Sequence, residues 1–366
     1  MSNCSFFIWG TGNLAEKVIH ECSILEQYKI IGFIDNDVCK VGKSFKNYQV
    51  YSPDILCRRI PDKIIILSNF YKDIKRQIKE KYPHVEDLVE DQNYFYKEMI
   101  IKRYKNSDDK EIKEIIQYLK VNNLDVFNYK FRNKYKELEV NVFFDDICQM
   151  FYVYHCGKRM YFAKRYNTRE KVKDYYKFLL VEQDEESPHR YLTSAFNVKE
   201  GDIVIDVGVA EGNFALEIID KVSRIYLIET DDEWIEAIKE TFRSYQDKIV
   251  IINKYITSIN AGKFATLDSL IEEPVNFIKM DIEGNEWDAL LGAKNIITCS
   301  GNIKCAICIY HQDFDEIIVK DIMNKYGLSC STTKGYMWFP YGERQTYIST
   351  KLCRGIMRGV KKGRTE

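Results

Sequence analysis

Residues 206–213 read Asp206-Val-Gly208-Val-Ala210-Glu211-Gly212-Asn213, a turn of small residues between the apolar run DIVIDV and a helical pattern that starts at Phe214. A strand, a turn short of Cβ atoms and a helix make the first half of a βαβ unit, and such units build parallel sheets. The neighbouring runs supply the remaining strands, expected at 202–208, 224–230, 248–253, 275–281 and 303–311. Helices fit between them at 214–221, 234–242, 286–297 and 314–326. The aromatic segments GYMWFPYG and RQTYIST predict antiparallel strands that close the sheet.

The charges of the turn select its ligand. In a dinucleotide site the glycines and the helix N-terminus cradle a pyrophosphate. Here the turn opens on Asp206 and contains Glu211, and both repel phosphate but suit a ligand with an ammonium and a sulfonium, so S-adenosylmethionine is favoured over NAD. The candidate cofactor-binding residues are Asp206, Gly208, Ala210, Glu211, Gly212 and Asn213, with Glu229, which ends the next strand and can accept both hydroxyls of a ribose. Asn253, at the end of the third strand, and Asp268, in TLDSL, complete the set, and Asp268 reads equally as a helix cap.

The stretch FIKMDIEGNEW places Asp281 at the carboxyl end of the strand across the switch point from Gly208, where ligands of doubly wound sheets bind. The competing reading of Asp281 is a cap for the helix that follows. His311 ends the next strand, IKCAICIYH, on the same edge. Asp281 and His311 are therefore the candidate catalytic residues, acting as base, as a pair, or as ligands of a divalent cation that polarises a hydroxyl. Sequence alone assigns no metal.

The ordered set DVGVAEGNF, LIETDDEW, TLDSL, KMDIEGNEWDALLGA and YH, with EQDEESPHRYL upstream, resembles FkbM-type methyltransferases over residues 160–350. The resemblance implies a class I methyltransferase fold, a doubly wound, mostly parallel sheet with an antiparallel final strand. It implies S-adenosylmethionine-dependent methylation, usually at oxygen and often of a sugar or a natural-product scaffold. Ala210 departs from the family, which often carries Asn at this position.

A second nucleotide-type signal lies at the N-terminus. The strand CSFFIWG runs into Gly10-Thr-Gly12-Asn13-Leu-Ala15, and Asp35 follows at the end of KIIGFID, which meets the dinucleotide fingerprint. This run resembles small Rossmann-like domains found in front of sugar-modifying enzymes. Gly10, Gly12, Asn13 and Asp35 are the candidate residues of a nucleotide or nucleotide-sugar site.

The expected organisation is a Rossmann-like α/β domain over 1–96, a mainly helical linker region over 97–159, the methyltransferase domain over 160–352 and a basic tail over 353–366. In the linker, VNVFFDDI and MFYVYHCGKRMYFA fit strands or helices alike. The basic run from Lys351, with Arg354, Arg358, Lys361, Lys362 and Arg364, reads as a solvated end, or as a contact with an anionic membrane surface or acidic partner. Over the whole chain 54 basic residues balance 55 acidic ones, which leaves no global field for nucleic acid. No run approaches the ~20 apolar residues of a membrane span, and the N-terminus lacks a basic, then apolar, leader. Eleven scattered cysteines, with Cys305 and Cys308 as the one CxxC, fit reduced thiols and a cytoplasmic location. The expected function is methylation of a sugar hydroxyl in glycan or nucleotide-sugar metabolism, by an enzyme whose oligomeric state, monomer or homo-oligomer, stays open. The rival readings are an NAD-dependent oxidoreductase run by the N-terminal fingerprint and a non-catalytic nucleotide-binding module.

Overall fold

The computed structural model describes residues 4–340 and 348–361. The chain divides into two compact units, Met1–Asn128 with Tyr347–Lys351, and Tyr129–Thr346 with Leu352–Glu366.

The first unit opens with β1 (Ser5–Trp9), α1 (Asn13–Glu21), α2 (Ile24–Gln27) and β2 (Lys29–Ile34), then β3 (Ser44–Phe45), β4 (Tyr48–Tyr51), β5 (Lys63–Ile66), α3 (Tyr71–Lys81) and β6 (Val89–Glu90). The sheet order is β3-β4-β2-β1-β5-β6, and β1 pairs in parallel with both β2 and β5. The central strands are continuous apolar runs because both faces are covered, and α3 presents Ile74 and Ile78, one turn apart, to one of them. Two helices follow, α4 (Asn93–Arg103) and α5 (Lys110–Leu119). The Asp109 carboxylate caps α5 through the amides of Glu111 and Ile112, and Ile112, Ile115, Ile116 and Leu119 form its buried stripe.

The second unit begins with α6 (Asn133–Lys136) and a three-stranded antiparallel meander, β7 (Phe143–Asp145), β8 (Met150–His155) and β9 (Lys158–Tyr161). Alternation in MFYVYH puts Val153 inside and Tyr154 outside, so the segment whose pattern fitted either structure is a strand. Helix α7 (Arg169–Glu182), capped by Thr168, leads to the site.

The main sheet follows as β10 (Ile203–Val207), α8 (Asn213–Ile218), β11 (Arg224–Ile228), α9 (Asp232–Thr241) and β12 (Ile249–Ile252). After the small pair β13 (Tyr255–Ile256) and β14 (Phe264–Ala265) come α10 (Leu267–Leu270), β15 (Phe277–Met280), α11 (Glu286–Leu291), α12 (Lys294–Cys299), β16 (Ile303–Cys308) and α13 (Asp315–Lys325). The unit finishes with β17 (Ser329–Thr332), β18 (Met337–Trp338), β19 (Leu352–Cys353) and β20 (Ile356–Lys361). Its order is β12-β11-β10-β15-β16-β20-β17, with β20 antiparallel to both neighbours. This is the class I methyltransferase arrangement, and its switch point lies between β10 and β15.

Two expectations need correction, and a third falls partly outside the described residues. The helix expected over 286–297 is two helices, α11 and α12, broken at Gly292, where the Thr257 carbonyl packs so close that no Cβ fits. The antiparallel strand expected in GYMWFPYG is present as β18, which pairs with β19, and most of RQTYIST lies outside the described residues. The basic run is not a solvated end through Lys361, because β20 is an interior strand of the sheet. Its cations are absorbed locally: Arg354 lies 3.8 Å over the Tyr336 ring, Arg358 donates to the Arg190 carbonyl, and Lys361 donates to the carbonyls of Ile297 and Thr298. Lys362 and Arg364 lie outside the described residues.

A chain that stops at Gly355 removes β20 and exposes the edges of β16 and β17. It should lose cooperative unfolding of the second unit in a thermal melt followed by near-ultraviolet circular dichroism, whereas loss of a solvated tail would leave the melt unchanged.

Candidate active site

The turn after β10 is shaped by what crosses it. Gly208 sits at φ 77°, and a Cβ there would overlap the carbonyl of Asp281, so glycine alone lets the ends of β10 and β15 touch. Gly212, at φ 83°, caps α8 against the Phe242 ring. Ala210 also adopts a left-handed conformation, at φ 48°, and its amide donates to Glu229 Oε2 at 2.9 Å. Glu229 Oε1 accepts the amides of Thr230 and Asp231, so the acid is fixed at the end of β11 beside the turn. Asn213 is buried and accepts the Phe214 amide.

The two acids of the turn separate. Asp206 lies behind it, fully buried, with Lys279 Nζ 3.0 Å away, and the same ammonium donates to the Gly208 carbonyl. Burial pushes Asp206 up to about 6 despite Lys279. Glu211 is 3% exposed, accepts the Tyr175 hydroxyl at 2.9 Å, and is raised by burial to about 7. Asn253 donates to Asp232, and Asp268 accepts the amides of Asn295 and Ile296. Asp268 is thus the cap of α12, the alternative left open by sequence.

Asp281 and His311 do meet. Tyr191 Oη donates to Asp281 Oδ2 at 2.7 Å and Tyr310 Oη to Oδ1 at 3.1 Å. Nε2 of His189 and Nε2 of His311 each stand 3.6 Å from the same carboxylate. Asp281 does not cap the helix behind it; Glu286 takes the Ile282 amide instead, and Asn285 makes no side-chain cap. Burial alone would raise Asp281, but the two imidazoles, Lys279 and the Tyr191 hydroxyl hold it well below the usual carboxylate range. His311 has the opposite fate: burial opposes its charge, yet Glu286, 2.9 Å from Nδ1, and Asp281 raise it to about 9. His189, with no exposed surface, is lowered by burial to about 4.

Two groups have metal-ligand types within reach, His189 with Asp281 and Cys308, and Asp281 with Glu286 and His311. Glu286 Oε1 serves His311 and the Ile282 amide while its Oε2 has no hydrogen-bond partner, and Cys308 Sγ is 3.5 Å from His189 Nε2. In the aromatic segment GYMWFPYG, Phe339 packs edge-on to Tyr310 and His311, Trp338 is core, and Tyr341 lies outside the described residues.

Sequence reasoning missed Tyr175, Glu182, His189, Tyr191, Lys279, Glu286 and Tyr310. Lys279 carried a signal, a lysine within an otherwise apolar central strand. His189 and Tyr191 sit in SPHRYL, which has no periodicity to mark an inward face.

In the first unit, Gly10 is at φ 125° against the Leu67 carbonyl, and Gly12 caps α1 with open space around its Cα and no side-chain cap. Asn13 is the first helical residue. Asp35 accepts the Thr11 hydroxyl and the Asp37 amide and stands 3.3 Å from Lys40. Burial raises it, but these bonds prevail and hold it below its ordinary value.

Lys279→Met should leave Asp206 buried without its cation and cost about 3–5 kcal/mol in urea denaturation. Adding Asp206→Asn should return much of that loss, since the double variant buries no charge; a double variant no more stable than the single one would contradict the pairing.

Residues 161–327 match the family described as Methyltransferase FkbM domain, and residues 3–86 match the family described as C2185-like, N-terminal. None of the curated proteins matches the chain. Among solved structures, the chain is similar to methyltransferase FkbM from Methylobacillus flagellatus KT, at 15% identity and a TM-score of 0.43, over 97% of this chain and 90% of that one. It is also similar to magnesium protoporphyrin IX methyltransferase from Synechocystis PCC 6803 with bound SAH, at 12% identity and a TM-score of 0.30, over 44% of this chain and 75% of that one. No helix among the described residues is long and apolar enough to cross a membrane. The stretch that matches the FkbM family, residues 161–327, includes the switch point between β10 and β15.

Proposed function

We propose that the second unit transfers the methyl group of S-adenosylmethionine to a hydroxyl, with a sugar as the acceptor. The observation that carries this reading is the set of acids gathered at the switch point between β10 and β15: Glu229 and Glu211 at the turn and Asp281 opposite. Acids so placed repel phosphate and suit a ligand with a sulfonium and an ammonium. Glu229 would accept the ribose hydroxyls and the turn 208–212 would lie along the ligand. S-adenosylmethionine supplies an electrophilic methyl group and leaves as a neutral thioether.

Asp281, kept ionised, orients the acceptor hydroxyl and takes its proton as the new oxygen–carbon bond forms. Its low basicity suffices late in the reaction, when the oxygen becomes strongly acidic. Much of the acceleration comes from holding the hydroxyl in line with the methyl group. His311, protonated below about pH 9, is a fixed cation beside Asp281 rather than a base. The acceptor class rests on the resemblance of sequence, and no divalent cation enters this reading.

For the first unit, the open, uncapped start of α1 beside the β1/β5 switch point favours a second ligand, a nucleotide or nucleotide-sugar whose phosphate meets the helix. Gly12→Val should abolish binding of UDP-glucose in a calorimetric titration; unchanged affinity for a ligand that does bind removes this site. Tight NAD binding without S-adenosylmethionine binding would instead favour an oxidoreductase.

Calorimetry with S-adenosylmethionine and with its demethylated product tests the main reading, and no detectable binding of either would overturn it. Glu229→Ala should weaken binding by about 1–3 kcal/mol through lost charge-assisted hydrogen bonds. Methyl transfer from labelled S-adenosylmethionine to the methyl glycosides of glucose, galactose, mannose, rhamnose and N-acetylglucosamine tests the acceptor class. Asp281→Asn should retain cofactor affinity and lose roughly 10²-fold or more in kcat. Near-normal kcat in that variant removes Asp281 from the chemistry, and recovery on adding Mn²⁺ would replace direct proton transfer by metal coordination.

A further inference from the structure

Two side chains of contrasting chemistry stand beside Asp281, Phe339 and Glu283, and the His311 ring links all three. Its Nε2 is 3.6 Å from Asp281 Oδ1 and 3.8 Å from Glu283 Oε2. The Phe339 ring meets the same imidazole at 5.4 Å between centroids and 88°, and meets Tyr310 at 5.0 Å and 63°. Tyr310 in turn donates to Asp281 Oδ1 at 3.1 Å. An aromatic ring and a second carboxylate are thus packed against one imidazole, whose Nδ1 is fixed by Glu286 at 2.9 Å.

Both side chains reach the surface. Phe339, which follows β18, is half-buried, and the Glu283 side chain is 81% exposed. Glu283 holds its place at φ 58°, a left-handed conformation that disfavours any residue with a Cβ. Gln312, next to His311, donates to the Gly284 carbonyl and so ties the Glu283 turn to the segment after β16.

The geometry points to Phe339 and Glu283 as the acceptor subsite: the ring stacks on the apolar face of an uncharged pyranose while the carboxylate accepts hydroxyls beside the one that is methylated. This inference rests on the methyltransferase reading above and narrows its acceptor to a neutral sugar. A pyranose has a face of C–H groups that suits an aromatic ring, and a rim of hydroxyls that suits an acceptor-only carboxylate. With the sugar held on both sides, one hydroxyl lies against Asp281, which is the positioning that methyl transfer needs.

The same residues select against an anion. Three carboxylates, Asp281, Glu283 and Glu286, face the His311 imidazole, and Lys279 stands 3.0 Å from Asp206. A carboxylate or phosphate on the near side of the sugar would meet like charge beside cations that are already paired, a juxtaposition that strongly rejects a partner. A sugar carried on a diphosphate would have to keep that group away from the Glu283 turn.

The test uses the full chain with the methyl glycosides above and methyl glucuronoside, in which a carboxylate replaces the hydroxymethyl group of glucose. The wild type should methylate a neutral glycoside and use the glucuronoside about tenfold less well, or worse, in kcat/KM. Phe339→Leu, which keeps apolar volume and loses the aromatic face, should raise the glycoside KM about threefold to tenfold and leave S-adenosylmethionine affinity unchanged. Glu283→Gln should narrow the gap between neutral glycoside and glucuronoside by about tenfold. A glucuronoside used as well as the neutral glycosides, or variants that keep the wild-type KM and selectivity, overturns the subsite. Saturation-transfer NMR of the same glycosides, with the demethylated cofactor product present, reads contact without turnover. Ring protons should be saturated in the wild type and lose that signal in Phe339→Leu while the cofactor signal stays. No glycoside contact in a wild-type chain that binds the cofactor product overturns the subsite and leaves the methyltransferase reading in place. Glycoside contact that is lost in Phe339→Leu, in a chain that binds no cofactor product, supports the subsite and overturns that reading.

Discussion

The ion pair between Lys279 and Asp206 joins β15 to β10 inside a sheet core that is otherwise apolar. Burying two charges is expensive, and their attraction offsets that cost only where the geometry is tight and further hydrogen bonds are made. Here the Lys279 ammonium also holds the Gly208 carbonyl, so the pair fixes the turn as well as the strands. Gly208 closes the arrangement from the other side, since only a residue without Cβ lets the turn rest on the backbone of Asp281. The position of Asp281 in the crevice follows from this junction.

The same junction sorts the carboxylates by environment. Asp206 is paired with Lys279 behind the turn, Glu211 is buried against the Tyr175 hydroxyl, and Glu229 is held beside the turn by the amides of Ala210, Thr230 and Asp231. Asp281 is surrounded by donors and stays ionised, whereas Glu211 and Glu182 have few and are raised by burial. One crevice thus holds acids of very different proton affinity, the condition under which neighbouring carboxyls take separate roles. The imidazoles divide likewise: His311 is raised by its tie to Glu286 at 2.9 Å, and His189 is lowered by burial although Asp281 stands 3.6 Å away.

Much of the fold was legible because its signals are local. The glycine turn, the acids at strand ends and the apolar strands of both sheets follow from conformational freedom and periodicity within a few residues. The class I order was expected from resemblance and is present in the strand pairing. The basic run from Lys351 misled, because charge suggests solvent. Its long side chains reach carbonyls and a ring while their backbone completes the sheet. The break between α11 and α12 was also hidden, since Gly292 is required by the Thr257 carbonyl, which lies 35 residues earlier.

Sequence by itself determined the parallel sheet, the turn at 206–213 and the placing of Asp281 and His311 at neighbouring strand ends, because strand direction and strand order put those ends on one edge. Tertiary structure alone decided what surrounds them. Tyr191 reaches Asp281 across 90 residues of sequence, and His189 reaches Tyr310 across 121. Encounters of that kind depend on how the segment after α7 packs over the sheet, which no periodicity encodes. They set the protonation of Asp281 and His311, and so separate an oriented carboxylate from a base and a charged imidazole from a neutral one.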